Sequence, residues 1–147
     1  MLIEPRLQDA QFSRADLRQE AFAIASRLVM DEWTHGDRST WLVRNMIYPI
    51  GFEPKDRPTV TFAGSDLHNG TAGISLFLLE MAQATDFRQF QATAERAARF
   101  SVSQLQRIKF PHRYGFYGGL GGILWAVHRL ALATGASEWA RYRTEVL

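Results

Sequence analysis

The chain has 147 residues, of which 46% are hydrophobic and 22% charged, proportions typical of one globular domain rather than of disordered or collagen-like chains. Seventeen basic residues against fifteen acidic ones give a formal charge of +2 without basic clustering, so we expect no nucleic-acid partner. The chain contains no cysteine, which excludes disulfides, thiolate nucleophiles and cysteine-ligated zinc within it.

No targeting or membrane segment is expected. Residues 1–16 lack the apolar core of a signal peptide. The most apolar stretch, residues 74–82, is far shorter than the ~20 residues that a membrane-spanning helix needs. The sequence therefore predicts a cytoplasmic protein that does not span a membrane.

The first predicted helix covers residues 14–33. Ser13 is suited to cap its N-terminus, and Asp16 places a negative charge in the first turn. The apolar residues at helical spacing are Leu17, Ala21, Ile24, Ala25 and Leu28. Gly36 fits a stop signal after this helix.

Residues 34–65 are predicted to form a long connecting loop, because proline and glycine interrupt them repeatedly. Within this loop, residues 41–50 are apolar enough for a short strand or a docked turn. We expect the loop to wrap the body of the protein and to pack Trp41, Ile47 and Phe52 on it.

Four further helices are predicted in two pairs. Residues 71–84 are apolar on nearly all sides, which indicates a buried inner helix, and residues 86–107 form an amphipathic outer helix. Asp86 and Gln89 have capping-box spacing at the start of that outer helix. A second inner helix follows over residues 119–134, and a second outer helix begins at residue 137.

The two helix pairs are copies of one repeat, offset by 49 residues. The segment GTAGI at 70–74 aligns with GLGGI at 119–123. Each copy places a G-x-x-G motif at the start of its inner helix; the four glycines are Gly70, Gly73, Gly119 and Gly122. Two roles stay open for them: close packing of the inner helices, or exposure of helix N-termini to a polar or anionic ligand.

The resulting prediction is an all-α fold with inner and outer helical layers in a single partial domain, residues 1–147. It divides into an N-terminal helix (13–33), a loop (34–65), repeat one (66–114) and a truncated repeat two (115–147). A complete second copy would end near about residue 164, so the second repeat is expected to be incomplete.

The segments DLHNGTAGISLFL at 66–78 and GFYGGLGGI at 115–123 resemble the first two repeats of lanthionine synthetase C-like cyclases. The similarity is greatest to the cyclase domain of bifunctional lanthipeptide synthetases, in which a segment like Trp41-Leu42 precedes the first repeat. The resemblance implies an α/α toroid and the addition of a cysteine thiol of a precursor peptide to a dehydrated serine or threonine.

In full-length family members, a zinc ion held by two cysteines and a histidine activates the thiol, and an acid/base histidine assists. All of these residues belong to later repeats, so the resemblance implies no cofactor in this chain and no catalytic residue that can be assigned to it. The expected partners are a precursor peptide or the remainder of the synthetase. Self-association is also expected, through an edge of repeat two where Leu124 and Trp125 lack a covering helix.

Four residues are weak candidates for substrate binding. Asp66 and His68 precede the first inner helix, where they could orient a substrate group, although Asp66 is also suited to bind local backbone N–H groups. His112 and Tyr114 lie on the equivalent loop of repeat two, where they could contact a peptide or simply face solvent. His128 is expected to be a packed or interface residue.

Two other function classes stay open. A six-hairpin glycoside hydrolase would share the toroid but needs two carboxylates ~5–9.5 Å apart. Asp66 and Asp86 are the available pair, and they are expected at opposite ends of one helix. The other class is a non-catalytic helical module that binds a peptide or completes the toroid of a partner.

Overall fold

The computed structural model describes residues 13–45, 59–108 and 114–145. Helix α1 spans Arg14–Met30, and four short strands follow: β1 (Trp33–His35), β2 (Arg38–Thr40), β3 (Leu42–Asn45) and β4 (Thr59–Phe62). Two helix pairs complete the described part: α2 (Thr71–Thr85) with α3 (Arg88–Ser103), and α4 (Leu120–Thr134) with α5 (Ser137–Glu145). A 3-10 turn, Leu105–Arg107, follows α3.

The start of α1 is as predicted, but its end is not. Ser13 forms a full capping box with Asp16, each side chain accepting a backbone N–H of the other residue. The helix ends at Met30 rather than near residue 33. Gly36 does not end it, because this glycine lies in the turn between β1 and β2 with a φ of 62°. A positive φ at the first position of a two-residue turn fits a type II′ hairpin.

The structure is mostly helical, but the strands make the all-α prediction wrong in the described part of residues 34–65. Strand β1 pairs antiparallel with β2, and β3 pairs antiparallel with β4. These strands are three or four residues long, too short for a clear alternating pattern, although β-branched side chains such as Thr34, Val43 and Val60 favour them.

Trp41, between β2 and β3, attaches the strands to the helices. Its ring is buried, as predicted, and its indole N–H donates to the carbonyl of Leu28 on α1 at 2.7 Å. Ile47 and Phe52, which were predicted to pack in the same way, lie outside the described residues.

The core lies between the two helices of the first pair and extends to α1, α4 and α5. Helix α3 is amphipathic, as predicted for residues 86–107, with Phe90, Ala94 and Ala97 fully buried on one side. Buried hydroxyls also join the pair, because Ser75 donates to the carbonyl of Ala94 at 2.8 Å. In the described ranges no helix is long and apolar enough to cross a bilayer.

The start of α3 differs from the capping-box prediction. Asp86 ends α2 in the left-handed region, with a φ of 56°, and Phe87 is the N-cap without a side-chain hydrogen bond. The Phe87 ring instead packs against Phe90 (4.9 Å between centroids) and against Phe22 of α1 (6.1 Å). Aromatic packing therefore fixes this helix start where a polar cap was predicted.

Candidate functional site

Two loops meet at the N-terminal ends of α2 and α4. The first-repeat loop, residues 63–70, folds back on itself, since the carbonyl of Gly64 accepts the N–H of Thr71 at 2.8 Å. Within this loop, Asp66 Oδ1 accepts the N–H of Asn69 at 2.7 Å. The Asp66 carboxylate thus binds a backbone N–H group of its own loop. This is the alternative to substrate binding that the sequence analysis left open.

The second-repeat loop, residues 114–119, binds the first. The carbonyl of Tyr117 accepts two hydrogen bonds, from the N–H groups of Leu67 and His68, each at 3.1 Å. The rings of His68 and Tyr117 also meet edge to face, with centroids 6.5 Å apart. The two repeats are therefore joined at this end by backbone bonds as well as by side chains.

Glycines at equivalent positions of the two helices let the loops approach. A Cβ added at Gly73 would lie 2.2 Å from the carbonyl oxygen of Leu67, and one at Gly122 would lie 2.2 Å from that of Phe116. Real side chains do not approach a carbonyl oxygen so closely, so these positions require glycine. Both pairs obey the offset of 49 residues, because Leu67 corresponds to Phe116 and Gly73 to Gly122.

The other two motif glycines are the N-caps. Gly70 and Gly119 both have extended backbones and cap α2 and α4 without a side-chain hydrogen bond. Both are buried. A Cβ on Gly70 would lie 2.5 Å from Asp66 N and from the Gly64 oxygen, so here too the glycine contacts its own loop.

Exposed rings form the outer surface of these loops, and we call this surface the rim: His68, Tyr114, Phe116 and Tyr117. Tyr114, Phe116 and Tyr117 are 75%, 47% and 68% exposed. Phe116 and Tyr117 contact each other edge to face at 5.4 Å. His112, the remaining sequence candidate, lies outside the described residues.

Sequence reasoning missed Phe116 and Tyr117 as site residues. The repeat carried the signal, because the 49-residue offset aligns Tyr117 with His68 in the sequence. In the structure, the rings of these two residues meet edge to face. A residue at an equivalent position of the next copy is a natural neighbour when repeats stack side by side.

One face of α4 is open in the described structure. Trp125 and Leu132 are 42% and 67% exposed, and the His128 ring lies 5.8 Å from that of Trp125. The equivalent face of α2 is covered by α4, and there Glu80 forms an ion pair with Arg129, the residue at the same repeat position. The open face of α4 is therefore the counterpart of a face that is covered in the first repeat.

A polar network holds β2 against α3. Glu32 accepts both a bidentate pair of bonds from Arg96, at 2.7 and 2.8 Å, and bonds from the hydroxyls of Ser39 and Thr93. Burial acts to raise the pKa of Glu32, but the bonds from Arg96, Ser39 and Thr93 outweigh it and leave that pKa below its ordinary value. The carboxylate is therefore charged and fixed in place at neutral pH.

The described residues bring together neither three metal-ligating side chains nor the predicted carboxylate pair. The sequence contains no cysteine, and no three His, Asp or Glu side chains gather within residues 13–45, 59–108 and 114–145. Asp66 and Asp86 flank α2, whose fifteen residues span roughly 22 Å, too far for a glycosidase pair.

Comparison with known proteins agrees with the repeat. A family model described as lanthionine synthetase C-like protein matches residues 61–147, which include both loops and both helix pairs. No curated protein is significantly similar to the chain. Since the family match covers more than half of the sequence, the chain belongs to the lanthionine synthetase C-like family.

Proposed function

We propose that the chain acts in the thioether-forming cyclisation of a lanthipeptide precursor, as the first two repeats of a cyclase toroid. The observation that carries this proposal is the family match over residues 61–147, which coincides with two helix pairs related by a 49-residue offset. The zinc ligands and the acid/base group then come from further repeats. On its own, the 147-residue chain does not catalyse the reaction.

In this proposal, the rim contacts the precursor peptide. Its rings are exposed, they lie at the shared end of α2 and α4, and the backbone bonds between the two loops hold them in place. Aromatic rings offer a large contact area at a low cost in conformational entropy. The chain's own contribution is thus to bind and orient the peptide.

The open face of α4 is proposed to receive the first helix of a third repeat. Leu76 and Glu80 of α2 correspond to Trp125 and Arg129 of α4 at the same offset. Leu76 packs in a cluster with residues of α4, and Glu80 pairs with Arg129. A third helix packed in the same manner would cover Trp125 and complete the pattern.

A cyclisation assay tests the catalytic part of the proposal. The chain, zinc and a dehydrated precursor peptide with one free cysteine are incubated, and the remaining thiols are counted by alkylation and mass spectrometry. We expect no loss of thiol above the protein-free reaction, whereas a full-length family cyclase consumes it. Thioether formation by the isolated chain would contradict the proposal.

A binding assay tests the rim. We expect fluorescence anisotropy to detect binding of the labelled precursor, and the double variant Phe116→Ser/Tyr117→Ser to weaken it about tenfold. The backbone carbonyl of residue 117 is kept in this variant, so the bonds to the first-repeat loop can still form. Met30→Ser, which removes a 71% exposed apolar side chain from α1, is the matched control. If both variants bind the precursor as tightly as the unmodified chain, the rim is not the surface that binds it.

A further inference from the structure

A cleft separate from the rim lies between the β1–β2 hairpin and the end of α3. Its volume is about 320 Å³, within the range of ligand-binding clefts. Trp33, His35 and Arg38 line it from the hairpin, Phe62 from β4, and Ser103 and Gln104 from the end of α3. None of these residues belongs to the rim or to the open face of α4.

The strand register arranges the hairpin side of this cleft. Trp33 pairs with Thr40, and His35 pairs with Arg38, so all four lie on one face of the hairpin. The two cross-strand pairs are two residues apart along the strand, a distance of about 7 Å. The Trp33 ring meets the Phe62 ring edge to face, with centroids 6.1 Å apart. The aromatic Trp33 and the cationic Arg38 of the cleft thus belong to cross-strand pairs whose backbones are about 7 Å apart along the hairpin.

The hairpin is held rigidly for a two-stranded element. Ser39, on its opposite face, is fully buried and donates to Glu32, which also binds Arg96 and Thr93 of α3. An isolated two-stranded hairpin is only marginally stable in water, so these bonds are what preorganises the cleft.

The charge of the cleft favours an acidic group. The side chain of Arg38 is 52% exposed, and the acidic group paired with it is its neighbour Asp37, at 3.7 Å and 69% exposed. Asp37 also faces Arg99 at 3.9 Å. Arg107 is not a lining residue, but it donates to the side chain of Gln104, which is one. Arg38 therefore supplies the cleft with an exposed guanidinium that can bind a carboxylate.

We propose that this cleft binds an extended peptide segment that carries an apolar side chain and an acidic side chain two residues apart. In an extended peptide, side chains at i and i+2 lie on one face about 7 Å apart, which is the backbone spacing of the two cross-strand pairs. The apolar side chain packs against the Trp33 and Phe62 rings, and the carboxylate pairs with Arg38. This binding does not depend on the proposed cyclase function.

Fluorescence anisotropy with a labelled heptapeptide, Ser-Thr-Phe-Thr-Glu-Thr-Ser, tests the proposal on the full chain. We expect saturable binding that weakens by up to about fivefold when Gln replaces Glu in the peptide, and by a similar factor in Arg38→Gln. Trp33→Ser is expected to weaken binding of both peptides. Arg18→Gln and Leu17→Ser, which change an exposed arginine and an exposed apolar residue of α1, are the matched controls.

The outcomes are distinct. The proposed binding in the cleft is supported if Arg38→Gln and Trp33→Ser lose affinity while both controls keep it. The circular dichroism spectra of all variants must also be superimposable. No saturable binding at millimolar peptide, or equal affinity for the Glu and Gln peptides, overturns it. Equal losses in the control variants also overturn it, because they place the peptide elsewhere. None of these results depends on the cyclisation assay.

Discussion

Replacing Gly122 by alanine tests the contact on which the second repeat depends. The new methyl group would lie 2.2 Å from the carbonyl oxygen of Phe116 and 2.6 Å from Cβ of Leu67. Neither neighbour is the free end of a flexible side chain, so the loops must move by about 1 Å to restore ordinary contact distances. That movement disturbs both repeats at once, because Leu67 belongs to the first-repeat loop.

The expected cost follows from three terms. Overpacking costs about 1–3 kcal/mol, and weakening the bonds from Leu67 and His68 to Tyr117 costs about 1 kcal/mol more. Alanine returns up to about 1 kcal/mol through its higher helix propensity. We therefore expect Gly122→Ala to lower the free energy of unfolding by about 2 kcal/mol, and the melting temperature by about 8 °C.

Gly118→Ala provides a matched control. Gly118 lies in the same loop, but a Cβ there would meet no atom within 4 Å. Urea and thermal unfolding followed by circular dichroism should place this control within about 0.5 kcal/mol of the unmodified chain. If Gly122→Ala unfolds at the same urea concentration as Gly118→Ala, the close approach of loop and helix does not exist in solution.

Three further predictions concern the polar network and the open face of α4. Glu32→Gln should lower the free energy of unfolding, measured by urea titration, by about 3 kcal/mol, since it leaves the Arg96 guanidinium without its carboxylate. The control Asp31→Asn removes an exposed ion pair and should lower that free energy by less than about 0.5 kcal/mol. The folded pKa of Glu32 lies below its ordinary value of 4.5, so its stabilisation is complete above that pH and is lost as the pH falls through the folded pKa. Glu32→Gln should therefore flatten the dependence of the free energy of unfolding on pH below 4.5, as measured by urea titration at several pH values. Trp125→Ser should reduce self-association in sedimentation velocity without lowering the melting temperature, and an unchanged oligomer distribution would remove Trp125 from any interface.

The helices could be predicted from the sequence because local signals specify them. The capping box of Ser13 and Asp16 lies within four residues, and the glycine-led helices repeat at a constant offset. The apolar residues 41–50 favour a short strand or a docked turn, and β3 lies within them. The β1–β2 hairpin and the pairing of β3 with β4 could not be predicted, since these strands are only three or four residues long. Glu32 and Arg96 are 64 residues apart, and no periodicity within either segment indicates that they meet.

The rim shows the same division between local and distant information. For Asp66 the sequence leaves substrate binding and local backbone binding open, and the local alternative can be predicted because its partner, Asn69, is three residues away. Tyr117 was overlooked because its partners, Leu67 and His68, are 50 and 49 residues away. The repeat offset is the sequence signal that relates Tyr117 to His68. It is seen when the two loops are aligned residue by residue, and not when only their G-x-x-G motifs are compared.

The hydrogen bonds between the two loops are asymmetric, because the donors and the acceptor come from different repeats. The first-repeat loop contributes two N–H donors, from Leu67 and His68, and the second-repeat loop contributes one carbonyl acceptor. By the offset of 49 residues, the donors equivalent to these are the N–H groups of Phe116 and Tyr117. In the proposed toroid, a third repeat stacked in the same way would present a carbonyl to them. Backbone bonds at the rim would then join it to the second repeat in addition to its contact with the open face of α4.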